Sequence, residues 1–83
     1  MPRFDLDQLR TLVTVAEAGS LSAAAPRLAR SQSAVSEHIR KLEEVCRTAL
    51  LLRAKSGVSL TPAGERLLDW IAQWAHAHVG AAR

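Results

Sequence analysis

Two residues, Ala29-Arg30, are all that separate an alanine-rich segment from a strongly patterned amphipathic one. That short connection constrains the fold more than any other feature of the chain. Ser20 or Ser22 starts a short helix through Ala23-Ala24-Ala25-Pro26-Arg27-Leu28. Pro26 is expected in or near its first turn, where a missing amide hydrogen costs least. The three alanines allow close helix approach, and Ser31 is placed to cap the helix that follows. Two helices joined this tightly, pivoting on Ala25, Ala29 and Val35, predict a helix-turn-helix. Many such turns carry glycine where Ala29 stands.

In the helix after Ser31, apolar residues fall at Val35, Ile39, Leu42 and Cys46, so one stripe faces a core. The opposite face carries Gln32, Ser33, Ser36, Glu37, Arg40 and Glu44. It begins with short hydrogen-bonding side chains and only later turns charged, which suits a helix pressing its N-terminal end against base edges in a major groove. From Arg27 to Lys55 there are seven basic residues and three acidic ones. That local excess of +4 exceeds the whole chain's +3, so positive potential is concentrated around this helix.

The flanking segments support it. Asp5 is a plausible cap for a first helix in which Leu6, Leu9, Val13 and Ala16 form a stripe widened by Leu12 and Val15, all expected in the core; Gly19 ends it. After Cys46, the run Ala49-Leu50-Leu51-Leu52-Arg53, the basic turn Ala54-Lys55-Ser56-Gly57 and the alternating Val58-Ser59-Leu60 predict a hairpin with Lys55 and Ser56 near its tip. The same run could extend a helix instead, since Ala and Leu favour helices. A hairpin beside a recognition helix is a wing, able to reach phosphates or the minor groove. Thr61-Pro62 starts a last helix running to about Val79. Leu60, Leu67, Leu68, Ile71, Trp74, Ala75 and His78 give a stripe, with Trp70 beside it. A long helix at the end of a tiny domain has little of its own fold to pack on. Its tryptophans therefore predict a partner, most economically the same helix of a second copy, or else they cover the domain's own core.

Eighty-three residues allow one small domain, which buries only about 60% of its unfolded surface. A hydrophobic share of 48% argues for a folded chain. No apolar run approaches the ~20 residues of a membrane span, and no signal-peptide pattern opens the sequence. One cysteine, Cys46, excludes an intramolecular disulfide and suits a reducing cytoplasm; it is most simply a small core residue. No nucleophile elbow or glycine-rich phosphate loop is present, and His76 and His78 are two apart, so on a helix they point to different sides. No enzyme, cofactor or metal site is expected. RNA is disfavoured because the basic region lacks stacking aromatics.

The sequence resembles the N-terminal DNA-binding domain of LysR-type transcriptional regulators. The matching stretches are Leu6-Asp7-Gln8-Leu9-Arg10, Val15 to Ala25, Leu28, Ser31 to Ser36, Ile39, Leu42-Glu43-Glu44, Arg53 and Gly57 to Glu65. The resemblance implies a mostly α fold, a winged helix-turn-helix of three helices plus a short β-hairpin wing over residues 1–60. A linker helix over residues 61–83 would pair antiparallel with its copy. It further implies that Gln32, Ser33 and Ser36 approach bases and that Arg53 contacts the DNA backbone or minor groove. The sequence departs from the family at Arg47, where glycine is common, at Leu51, where phenylalanine is frequent, and at Glu37, often Arg or Gln. Family members carry a large effector-binding domain after the linker. The expectation here is a DNA-binding fragment, with any small-molecule effector acting only through a domain absent from these residues.

The predicted function is sequence-specific binding of double-stranded DNA by a homodimer on a dyad-symmetric site. Base contacts are assigned to Gln32, Ser33, Ser36 and Glu37. The sequence contains no asparagine, which leaves Gln32 as the amide there able to pair bidentately with adenine, while the Glu37 carboxylate can accept from cytosine N4. Backbone or minor-groove contacts are assigned to Arg30, Ser31, Arg40, Lys41, Arg53, Lys55 and Ser56, and the dimer interface to Leu67, Trp70, Ile71, Trp74, Ala75 and His78. The alternative is a helical protein-interaction module using the tryptophan-bearing helix.

Overall fold

The computed structural model describes residues 4–78, and the side chains of residues 4–76. Asp5 opens α1 (Leu6–Ala18): its carboxylate accepts the backbone N–H groups of Asp7 at 2.8 Å and Gln8 at 3.4 Å. The helix stops at Gly19, φ 82°. Ser20 starts α2 (Leu21–Arg27), its hydroxyl accepting the Ala23 N–H at 3.1 Å, and Ser31 caps α3 (Gln32–Cys46) in the same way through Ala34. Each cap satisfies an amide that the helix itself cannot pair.

The run after Cys46 is strand, not helix. β1 (Leu51–Ala54) and β2 (Gly57–Leu60) form an antiparallel hairpin with Leu51 opposite Leu60 and Ala54 opposite Gly57, and Lys55-Ser56 make the turn. α4 (Pro62–His78) follows, with the Thr61 hydroxyl accepting the Gly64 N–H at 3.0 Å and Pro62 in the first helical position. Four helices and one two-stranded wing make the architecture mostly helical, in the order α1-α2-α3-β1-β2-α4.

The core is assembled from Leu9, Leu12 and Val15 of α1, Ala24 and Ala25 of α2, and Val35, Ile39 and Leu42 of α3. Leu50 and Leu51, at the foot of the wing, complete it. Burying a side chain of leucine or valine size contributes roughly 1.5–3 kcal/mol, so these few positions dominate the stability of a domain this small. The alanines of α2 let α1 and α3 close around it. α4 packs on this core through Ala63, Leu67, Leu68 and Ile71. Buried Gly64 sits so close to the Leu50 carbonyl that a Cβ there would collide with it.

Several positions differ from the sequence expectation. Val13 and Ala16, expected in the core, are only half-buried, because they line an open cleft between α1 and Leu68, Ile71 and Ala75 of α4. Leu6 is 66% exposed, because it stands in the first turn of α1 at the mouth of a cleft shared with Phe4, Trp70 and Trp74. Pro26 lies in the last turn of α2, not near its first. The carbonyl four residues back belongs to Ser22, which is exposed and therefore open to water, so the lost hydrogen bond is cheap there.

Candidate nucleic-acid interface

Three elements build one face: the start of α3, the wing, and the α1–α2 turn. On α3, Val35, Ile39 and Leu42 turn inward, leaving Gln32, Ser33, Glu37, Arg40 and Glu44 exposed and Ser36 half-buried at the edge of the wing. The periodicity read from the sequence is the one observed. Ser31 and Ser33 hydroxyls lie 3.3 Å apart at the helix start.

The wing is pinned at both strands. The Val58 N–H donates to the Gly19 carbonyl at 2.9 Å, an approach that needs glycine at position 57, since a Cβ there would stand 2.5 Å from that oxygen. At the other strand, Glu43 of α3 accepts the N–H groups of Leu50 at 2.8 Å and Leu51 at 3.3 Å on one carboxylate oxygen. Glu43 was not among the predicted site residues. Its signal, a carboxylate on the core-facing half of α3, is visible in the sequence, but its partners lie seven and eight residues away in a segment whose path only the fold defines.

Held this way, the wing brings Arg53 to α3. The guanidinium donates to the Ser36 hydroxyl at 3.4 Å. Beside this contact, between the wing and the starts of α2 and α3, lies a cleft of about 340 Å³ lined by Ser20, Ser22, Gln32, Arg53 and Lys55 among others. Lys55 and Ser56 are exposed at the tip. The predicted residues Gln32, Ser36, Arg53 and Lys55 are therefore brought together, and the cleft adds Ser20 and Ser22 of the α2 start.

The other predicted cations are arranged differently. Arg40 donates from Nε to Glu37 Oε1 and from Nη2 to Glu37 Oε2, both at 2.8 Å, and Nη1 pairs with Glu44. The bond from Arg40 holds the Glu37 carboxyl below the usual carboxylate range, and the two carboxylates in turn push the guanidinium further up. Arg30 lies 3.7 Å from Asp7 of α1. Lys41 is exposed about half a turn around α3 from Gln32, on the side of His38 rather than of the wing.

His38 and Thr11 form a contact that sequence reasoning missed. Thr11 is a buried polar residue of the core, and its hydroxyl donates to the Asp7 carbonyl at 2.8 Å. With that hydrogen used, His38 Nδ1 donates to Thr11 Oγ1 at 3.0 Å, tying α3 to α1. Cys46 is half-buried, and burial, aided by the charge of Glu43, pushes its thiol up, which agrees with a packing role.

On α4, Leu67 and Ile71 lean on the chain's own core, while Trp70 and Trp74 are 48% and 39% exposed. The two tryptophans, Ile71 and Ala75 line an apolar cleft of about 400 Å³ with Phe4, Leu6 and Leu9. The Phe4 and Trp70 rings stand 6.0 Å apart, tilted by 47°. His78 is the last residue of α4, and its side chain lies outside the described residues, as does Val79. Among the described residues no group of His, Cys, Asp and Glu could hold a metal ion, and no helix is long and apolar enough to cross a membrane.

Residues 6–65 match the family model of bacterial regulatory helix-turn-helix proteins of the lysR family. The HTH-type transcriptional activator AllS of Salmonella paratyphi A is 45% identical over 73 residues, covering 83% of this chain and 24% of AllS. The chain spans about a quarter of the length of the curated relatives it matches. Among solved structures, ArgP from Mycobacterium tuberculosis aligns with a TM-score of 0.83 at 40% identity, over 96% of this chain and 30% of ArgP. The CbnR DBD–DNA complex aligns with a TM-score of 0.71 at 33% identity, over 96% of this chain and 100% of that one.

Proposed function

The chain belongs to the lysR family of bacterial regulatory helix-turn-helix proteins, and from that membership we propose that it binds double-stranded DNA sequence-specifically. Residues 1–60 form the reading unit in this proposal, with α3 in a major groove and the wing on the backbone or in the minor groove. Residues 61–83 form the linker and dimerisation helix.

The observation that carries this reading is the bond from Arg53 to Ser36. It sets the wing's cation beside the short polar side chains of α3, so one face offers both a group that seeks phosphate and groups that read base edges. The CbnR fragment in complex with DNA, which aligns over its whole length with 96% of this chain, supports it. In this reading Gln32, Ser33, Ser36 and Glu37 contact bases, and Arg30, Ser31, Lys41, Arg53, Lys55 and Ser56 contact the backbone or minor groove. Arg40, engaged by two carboxylates on its own helix, reaches DNA only by exchanging them.

A second copy completes the assembly through Leu67, Trp70, Ile71, Trp74, Ala75 and His78, covering the half-exposed tryptophans. Dyad-related copies would read two half-sites. The protein works in the cytoplasm, and any small-molecule effector acts through a domain outside these 83 residues. The family and its relatives are transcriptional regulators, not enzymes.

The test is selection of bound sequences from a random duplex pool, followed by salt titration on the product. A dyad-symmetric motif, bound less tightly as salt rises, is the expected result. No enrichment, together with no shift of duplex DNA in dilute buffer, overturns the proposal.

A further inference from the structure

We propose that Glu37 and Glu44 mask Arg40, so that the cation at the outer face of α3 is withheld from non-cognate duplex and released at a cognate base pair. The inference rests on the DNA-binding reading above. It begins with geometry. Three N–H groups of the Arg40 guanidinium are already engaged, two in a fork on Glu37 and one on Glu44. All three side chains are about half exposed, so the cluster is open to an incoming ligand and is not part of the core.

Its position matters as much. With about 100° per residue, positions 37, 40 and 44 project away from the buried row Val35, Ile39 and Leu42. The outer pole of the helix proposed to enter a groove therefore carries one positive and two negative charges, with Lys41 at its margin one turn beyond Glu37, while the cations Arg53 and Lys55 stand to one side on the wing. Such a pole offers phosphate no net positive charge. It also removes Arg40 from the electrostatic count: a guanidinium paired with carboxylates exchanges one anion for another on meeting phosphate, and no extra counterion is released.

Exposed ion pairs add little to folding stability, so the cluster fixes where Arg40 points more than whether the chain folds. Opening it leaves Arg40 donors and a Glu37 acceptor to be satisfied together. A C·G pair in the major groove does both, guanine O6 and N7 taking the fork of Arg40 and cytosine N4 donating to Glu37. A run of phosphates satisfies only the arginine. The cluster thus raises the contrast between right and wrong sequences by lowering affinity for the wrong ones.

The experiment uses the full 83-residue chain, with a random-sequence duplex pool and the best selected duplex as probes. Four proteins are compared: the parent, Arg40→Ala, the double variant Glu37→Gln/Glu44→Gln, and the triple variant combining all three changes. Masking predicts that Arg40→Ala weakens the selected duplex by roughly tenfold or more beyond any loss on the pool, the scale of one bidentate base contact, and changes the pool salt slope less in the parent than in the Glu37→Gln/Glu44→Gln background. The double variant binds the pool more tightly, with a log–log salt slope steeper by about 1, and the triple variant returns to the parent slope. An effect of Arg40→Ala on the pool slope as large in the parent as in the double variant, a steepening that survives in the triple variant, or a selected duplex no more sensitive to Arg40→Ala than the pool overturns the inference. If the parent binds neither probe at low salt, the DNA-binding reading itself fails, and the masking role with it. Circular dichroism of each variant separates a binding change from loss of fold.

Discussion

Arg53 on β1 and Ser36 on α3, seventeen residues apart in sequence, meet at 3.4 Å, guanidinium to hydroxyl. The wing and the recognition helix thus share a contact at the surface where a duplex would lie. Replacing Arg53 by alanine is expected to weaken binding to every duplex by a similar factor and to lower the salt slope by about 1, with base preference kept. Affinity measured across a salt series checks this; an unchanged slope removes Arg53 from the phosphate contacts.

Gln32 stands at the first position of α3 and lines the cleft beneath the wing. Gln32→Ala should cost roughly 1–3 kcal/mol on the cognate site and relax one base position, while non-cognate affinity stays level. Repeating the sequence selection with the variant shows the relaxed position directly. An identical motif from both proteins would mean that the amide faces water.

Glu43 serves the fold. One of its carboxylate oxygens is the acceptor for both Leu50 and Leu51 amides, and Leu50 and Leu51 are core residues. Glu43→Ala leaves two amides at the foot of the wing without this partner, and unfolding free energy should fall by about 1–3 kcal/mol. The urea midpoint, read with an unchanged denaturant slope, is the measurement. A midpoint equal to the parent's would show that water replaces the carboxylate at no cost.

Ala29 and Arg47 have left-handed backbones, φ 54° and 56°, a region where a side chain crowds its own carbonyl. Glycine at either position removes that strain while adding freedom to the unfolded chain. Ala29→Gly and Arg47→Gly should therefore each stabilise by a net ~0.5–1 kcal/mol, raising the thermal midpoint. A lowered midpoint in both would contradict the left-handed turns.

Much of this was legible in the linear pattern because the signals are local. Asp5, Ser31 and Thr61 cap helices through amides two or three residues away, and the α3 stripe follows from spacing alone. The two positions where glycine was the expected residue, 29 and 47, are the two non-glycine residues with positive φ among those described, so the turn chemistry could be read even through the wrong side chains. What escaped depends on distance in the chain. Thr11 meets His38 across twenty-seven residues, and nothing in either neighbourhood marks the pair. Leu6 shares the spacing of Leu9 and Leu12 yet stays exposed, because periodicity assigns a face without saying whether a neighbour reaches that far along it. Arg40 counted as a free cation in composition, whereas its partners three positions before and four after it absorb its donors.

Thr61 fastens the last helix to the wing twice: its N–H donates to the Leu50 carbonyl at 3.0 Å and its hydroxyl to the Ala49 carbonyl at 2.7 Å. With Gly64 wedged against the same Leu50 carbonyl, this joint has no slack. The seventeen-residue α4 then works as a lever roughly 25 Å long whose fulcrum is the root of β1. A torque applied at its far end would be felt at Arg53 as a change in the angle at which the hairpin meets its target.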